Sequence, residues 1–209
     1  MPLMGFENSK KLEMKRAFDS IVSLFILICF LPFGIILAFW ISLESKGGIF
    51  YRQQRIGLNG NPFYILKFRT MRKNADQFGK LTVGMRDARI TRAGYFLRKF
   101  KLDEFPQFIN VLKGEMSIVG PRPEVQEYVN LYTVEQQKIL NVKPGITDYA
   151  SIEFFNENEL LGNSEDPNKT YIEIIMPAKL EMNKKYLDNP SLRQDMKIIW
   201  QTFTRIINR

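Results

Sequence analysis

The longest apolar stretch in the chain, Ala17–Leu43, reads AFDSIVSLFILICFLPFGIILAFWISL and carries one charge, Asp19. It is too apolar for the surface helix of a soluble domain and long enough to enter a membrane. A cleaved signal peptide is disfavoured, because the run is too long and no A-x-A-like site follows. Hydropathy alone would accept a single-pass anchor. Two features predict otherwise. Pro32-Phe33-Gly34 falls in the middle of the run, where proline removes a backbone hydrogen bond and invites a sharp bend. Basic residues flank both ends, with Lys10, Lys11, Lys15 and Arg16 before and Lys46, Arg52 and Arg55 after. The positive-inside bias therefore places both ends in the cytoplasm. Split at Pro32, each half is about 13 residues or roughly 20 Å, short of a ~30 Å hydrocarbon core. Residues 1–46 are predicted to form a basic N-terminus and a re-entrant membrane helix-break-helix.

Beyond this run the period changes. Ile49–Ile56 and Pro62–Thr70 read as two strands around Leu58-Asn59-Gly60-Asn61, a turn of residues that accept positive φ. Alternation puts Lys67 and Arg69 on one strand face and Phe68 on the other. Asp87, Arg89, Thr91 and Arg92 lead into a helical stretch ending Leu97-Arg98-Lys99-Phe100-Lys101, a basic approach that draws anions. Next comes Lys101–Pro123, KLDEFPQFINVLKGEMSIVGPRP. Pro106 is tolerated only in a first turn, so a helix is predicted to begin near Leu102 or Asp103. Its apolar face is Phe105, Phe108/Ile109 and Leu112, and it stops at Lys113-Gly114. Thr133-Val134-Glu135-Gln136 reads as a capping box opening a further helix. Asn156–Lys169, polar and acidic with Asp166-Pro167, reads as a surface loop. From Pro190-Ser191 a terminal helix follows, with Leu192, Met196, Ile199/Trp200, Phe203 and Ile206/Ile207 on one stripe. Arg193, Lys197, Arg205 and Arg209 lie on or beside its other face. That pattern fits packing on the core, lying in a membrane interface, or both.

The predicted fold class is α+β. The re-entrant helix is followed by a β-hairpin and helical cytosolic domain over residues 47–180, then an amphipathic, interfacial C-terminal helix over 181–209. The whole has 209 residues and a formal net charge of +8, which favours phosphorylated or anionic partners without choosing among them. It contains no histidine, so acid–base work falls to Asp, Glu, Lys or Tyr. One cysteine, Cys29, cannot form an intrachain disulfide, in keeping with a reduced, cytosolic face. Asp103 and Glu104 at a predicted helix start are stabilised as anions, and phosphates are commonly bound there. Pro121 and Pro123 hold Arg122 extended, which suits a guanidinium that grips an oxyanion bidentately. The chemistry implied is carboxylate plus phosphate.

Leu102-Asp103-Glu104-Phe105-Pro106-Gln107, Asn110–Ser117 and Gly120-Pro121-Arg122-Pro123 together resemble a family signature. It is that of the bacterial sugar transferases, the monotopic phosphoglycosyl transferases that start glycan assembly on polyprenol phosphate. The KFRTM-like segment at Lys67 and the PGIT segment at Pro144–Thr147 extend the resemblance, which runs from about Lys11 to the C-terminus and looks like the family's short form. Two departures stand out. Leu31-Pro32 replaces a frequent Ser-Pro, and Asp148-Tyr149-Ala150-Ser151 replaces the more usual Gly-Leu/Trp-Ala-Gln.

The resemblance implies transfer of a phospho-sugar, an N-acetylated amino sugar being the common case, from a UDP-sugar to polyprenol phosphate with release of UMP. The route is covalent: Asp103 attacks the phosphorus bearing the sugar, and the lipid phosphate resolves the phospho-aspartate. The implied metal is Mg²⁺, held by Glu104 and Asp103 with substrate phosphates. Lys67, Arg69, Arg98 and Arg122 are the expected substrate-binding cations, and Pro32 the break of the re-entrant helix. The expected setting is the bacterial inner membrane, with the catalytic domain on its cytoplasmic face and no nucleic-acid partner. A glycosyltransferase releasing UDP and a non-enzymatic basic membrane-bound binding protein are the rival readings. Paired carboxylates amid the cations argue against the latter holding nucleic acid, because they repel a phosphate backbone.

Overall fold

A computed structural model describes residues 6–73, 75, 87–188 and 190–208; Arg209, placed above on the terminal helix, lies outside them. Helix α1, Phe6–Glu44, is 39 residues long and stays helical through Pro32. The predicted break therefore does not interrupt the helix. Proline forfeits one intrahelical bond and can be carried when the flanking turns are held by packing. Here the Phe30 ring stacks on Phe105 with centroids 3.9 Å apart. Asp19, Ser23, Leu37 and Ile41 form a buried stripe along the helix, while Ile21, Phe25, Ile28, Leu31, Ile35, Ile36, Phe39 and Leu43 stay exposed on its other faces.

Both ends of α1 are fastened to one body. Near the start, Lys15 pairs with Asp195 at 2.6 Å and Arg16 donates to the Leu112 carbonyl at 2.8 Å. At the end, the Glu44 carboxylate accepts from the backbone amides of Arg92 and Ala93 at 2.6 and 2.7 Å. Those amides open α2, Arg92–Lys99, whose N-cap is Thr91.

Strands β1, Phe50–Ile56, and β2, Pro62–Phe68, pair antiparallel with Tyr51 opposite Lys67. Their turn is a single 3₁₀ turn in which Asn59 and Gly60 take φ of 56° and 76°, as that composition predicts. Just past the end of β2, Thr70 lies against Gly94 of α2. A Cβ there would sit 1.9 Å from the Thr70 carbonyl oxygen, so only glycine permits the approach.

The helix expected from Leu102 starts later. Leu102–Glu104 form a separate 3₁₀ turn, and α3 spans Gln107–Lys113 with Pro106 at its N-cap and Gly114, φ 85°, closing it. The reason is Lys101, whose φ of 57° reverses the chain between α2 and the acidic pair. Two three-residue parallel strands follow, β3 Ser117–Val119 and β4 Gly145–Thr147, which no periodicity announced. They are joined through the short α4, Gln126–Val129, and a 3₁₀ turn, Gln136–Asn141. The Thr133/Gln136 capping box forms reciprocally, but opens that 3₁₀ turn rather than an α-helix. Gly120 and Gly145 cross so closely that a Cβ on Gly145 would lie 2.1 Å from the Gly120 nitrogen. This crossing sets the Pro121–Pro123 segment beside β4.

After α5, Tyr149–Glu153, the expected surface loop is helical: α6 spans Glu157–Gly162 and α7 Pro167–Thr170. Asp166-Pro167 breaks nothing there. Asp166 caps α7 and Pro167 occupies its first turn, while Leu161 reaches the core. A π-helical turn, Tyr171–Ile175, runs into α8, Met176–Asp188, so the division drawn at residue 181 falls inside a helix. Helix α9, Leu192–Ile207, begins at the Ser191 cap. Its apolar stripe is present but turned outward: Met196, Trp200, Phe203 and Ile207 are exposed, and Asp195 and Ile198 are buried.

Candidate active site

Asp103 sits on the 3₁₀ turn between α2 and α3 and is only 7% exposed. It lines two adjoining cavities. The first, about 240 Å³, is bounded by Lys67, Arg98, Lys101, Glu104, Arg122 and the aromatic pair Phe154/Phe155. The second, about 360 Å³, opens beside Gly47 and Gly48 just past α1, and is lined by Arg69, Arg72, Arg89 and Arg98. Gln53, Arg55, Lys67, Arg98 and Asp103 belong to both.

The two carboxylates have different surroundings. Glu104 is saturated with cations. Its Oε1 takes Lys67 Nζ at 3.1 Å and Arg122 Nη2, and its Oε2 takes Arg122 Nη1 at 3.2 Å. Burial alone would raise its pKa, but Arg122 and Lys67 outweigh burial and hold it well below the usual carboxylate range. The Glu104 charge in turn raises the pKa of Arg122 against the cost of its burial. Asp103 behaves oppositely. Burial, then the Glu104 charge, pushes its pKa up against the pull of Lys67, Arg98 and Lys101. Its Oδ1 is buried with no hydrogen-bond partner among the described residues. One carboxylate is thus a fixed, paired anion and the other an unclaimed, more basic oxygen. Neighbouring groups with pKa values driven apart are the mark of divided roles.

The cations are not equivalent either. Lys67 and Arg122 reach Glu104, as above. Arg98 donates to Thr70 Oγ1 at 2.9 Å and faces both cavities; burial lowers its pKa against the attraction of Asp103. Arg69 lines the second cavity; its two terminal nitrogens donate to the carbonyls of Ser45 at 2.7 Å and Lys46 at 3.4 Å, while its Nε is buried without a hydrogen-bond partner among the described residues. Cations suit a helix C-terminus, so Arg69 anchors the end of α1.

Several lining residues went unread. Arg55 grips Gln53 Oε1 and Glu124 Oε2, and Tyr171 donates to Glu124 Oε1. The hairpin register could have found Gln53 and Arg55, since alternate residues of β1 share the face of Lys67. Lys101, in contact with the Phe155 ring at 5.2 Å, was signalled only by adjacency to the acidic pair. Nothing local marked Tyr171 or Lys179. Among the described residues no three acidic or thiol side chains cluster as a metal cage. Asp103 Oδ1 is unpartnered, while both Glu104 oxygens are held by Lys67 and Arg122; a hard cation completed by substrate phosphates fits beside Asp103 and would share Glu104 with those cations or displace them.

A family model described as bacterial sugar transferase matches residues 10–209. The chain is 36% identical to a Bacillus subtilis protein named uncharacterized sugar transferase EpsL, over 93% of this chain and 87% of that one. It is 36% identical to the UDP-glucose:undecaprenyl-phosphate glucose-1-phosphate transferase of Klebsiella pneumoniae, over 97% of this chain. Against the UDP-N-acetylgalactosamine-undecaprenyl-phosphate N-acetylgalactosaminephosphotransferase of Aeromonas hydrophila, it is 34% identical over 93% of this chain. The match spans 42% and 44% of the lengths of those two longer proteins.

Proposed function

The chain belongs to the bacterial sugar transferase family, and on that premise we propose that it transfers a sugar 1-phosphate from a UDP-sugar to undecaprenyl phosphate, releasing UMP. The observation carrying this reading is the asymmetric acidic pair at the meeting of two basic cavities. Asp103, with its free oxygen and raised pKa, attacks the phosphorus that bears the sugar. The P–O bond to UMP breaks, and a phospho-aspartate remains. An oxygen of the lipid phosphate then attacks that phosphorus and frees Asp103, giving the polyprenyl diphosphate sugar. A carboxylate needs no general base for the first step, which suits a chain without histidine. Lys67, Arg98 and Arg122 balance charge on the transferring group.

The first cavity, with Phe154 and Phe155, suits the nucleotide sugar, and Asn156, Asn158 and Ser151 on its wall offer partners for an acetamido group. An N-acetylated amino sugar is the donor proposed. The second cavity, beside the end of α1, suits the lipid phosphate. Mg²⁺ is proposed at Asp103 and Glu104; bound there it would neutralise phosphate charge and polarise the phosphoryl oxygens. The test is product identity with UDP-N-acetylglucosamine and undecaprenyl phosphate. UMP is the expected product; UDP would mean transfer of the bare sugar, and no turnover with either nucleotide would favour a binding protein.

We further propose that α1 enters the bacterial inner membrane without crossing it, leaving both ends and the catalytic domain on the cytoplasmic face. Its ends, 29 residues and about 43 Å apart along a straight helix, both bind the same body at Lys15 and Glu44. Its outward faces are apolar. Single cysteines at Lys10 and Asn59, in a Cys29→Ser background, are expected to resist an impermeant maleimide in intact cells and to react after lysis. Labelling of position 10 from outside, with 59 protected, would establish an ordinary single-pass anchor.

A further inference from the structure

We infer that Asp148 is a positioning residue: its carboxylate ties the Arg122 clamp to the α5 wall of the donor cavity. The inference rests on the proposed transferase reading for what Arg122 does, and on geometry for what Asp148 does. Asp148 is 1% exposed. Its Oδ2 accepts from the Arg122 backbone amide at 3.1 Å, and its Oδ1 accepts from the Ser151 amide at 2.6 Å. One side chain thus bridges two segments distant in sequence. The first carries the guanidinium that grips Glu104. The second is α5, which bears Ser151 and leads directly into Phe154 and Phe155.

Capping α5 does not explain a charge at this place. An Asn or Ser would cap a helix about as well, without the cost of burying an anion. What only a carboxylate offers is two acceptor oxygens at once, aimed in this case at two different amides. The backbone fixes the distance they span. Val119 pairs with Thr147 across β3 and β4, and the Gly120/Gly145 crossing leaves no freedom to slide. Asp148 immediately follows that pairing and Arg122 lies three residues past it. Asp148 also contributes to the raised pKa of Arg122, behind Glu104. The departure from the family wording at Asp148–Ser151 therefore falls on a working contact. Glycine, usual there in the family pattern, can make neither bond.

Asp148→Asn separates the two jobs. Its amide oxygen can still cap Ser151, but its NH₂ meets the Arg122 N–H donor to donor. In the full-length enzyme this variant is expected to lose about tenfold in kcat/KM for the UDP-sugar, a coupling usual for contacting members of one network. Its melting temperature should stay near that of the wild type. In an Arg122→Ala background the same change is expected to cost less than twofold. Asp148→Ser, which keeps only the cap, should behave alike. UDP affinity measured by calorimetry over the wild type, Asp148→Asn, Arg122→Ala and the double variant reads the coupling independently of turnover. Wild-type protein that releases no UMP would therefore count against the transferase reading, not against this one. An equal loss with and without Arg122 would overturn the inference. So would wild-type kinetics in Asp148→Asn, or failure of both Asp148 variants to fold, which would make the carboxylate a folding determinant instead.

Discussion

Asp103→Asn is expected to reduce UMP release by about a thousandfold or more, because removing the proposed covalent nucleophile leaves only binding and electrostatic assistance. The substitution preserves shape and removes the attacking anion. It also removes a buried charge that Glu104 repels, so the fold should be as stable as that of the wild type or slightly more so. The choice between the neighbours follows from their surroundings. Glu104 would have to abandon Lys67 and Arg122 before either oxygen could attack, whereas Asp103 Oδ1 has no bond to give up. In the absence of lipid acceptor, a phospho-sugar adduct should accumulate and map by mass spectrometry to the peptide containing Asp103. An Asn variant with near-normal UMP release, or an adduct on Glu104, would reverse the assignment.

The acidic pair, Lys67, Arg98 and Arg122, picked out by the family resemblance of short blocks, do line the cavities, although the helix start read at Asp103 is a 3₁₀ turn. Arg69 shows where that stops. Alternation places it correctly beside Lys67, but what its guanidinium meets depends on where the end of α1 lands, a tertiary fact. Helix α9 makes the same point: a 3.6-residue period finds the stripe Met196–Trp200–Phe203–Ile207 and says nothing about which side faces the core. Strands β3 and β4 have three residues each, too few to carry a period. The missed helices α6 and α7 came from reading Asp-Pro as a breaker, when the same dipeptide is also an N-cap followed by a first-turn proline. Proline is equally double-edged at position 32, where it predicted an interruption of a helix that packing against Phe105 keeps helical. The local grammar gives the elements of the site. Which groups stay free to react is decided by contacts from α1, β2 and the Gly120/Gly145 crossing.

Excess EDTA is expected to bring UMP release below about 1% of its starting rate, and added Mg²⁺ to restore it. Two carboxylates and a diphosphate would share the space between the cavities, and a pair of like charges ~4 Å apart costs about 4 kcal/mol at an effective dielectric of 20. The cations at hand are already partly committed. Lys67 and Arg122 are paired with Glu104, Arg69 closes the end of α1, and Arg98 is held at Thr70. Of these only Lys67 and Arg122 have their charge offset, by Glu104; a metal ion would add positive charge where a second phosphate group meets the acidic pair when the lipid arrives. Glu104→Gln should weaken the Mg²⁺ dependence, shifting the half-saturating concentration upward, if Glu104 contributes an oxygen to the ion. Full activity in chelator would take the metal out of the reaction. Glu104 would then serve only as the anchor that keeps Lys67 and Arg122 pointed at Asp103.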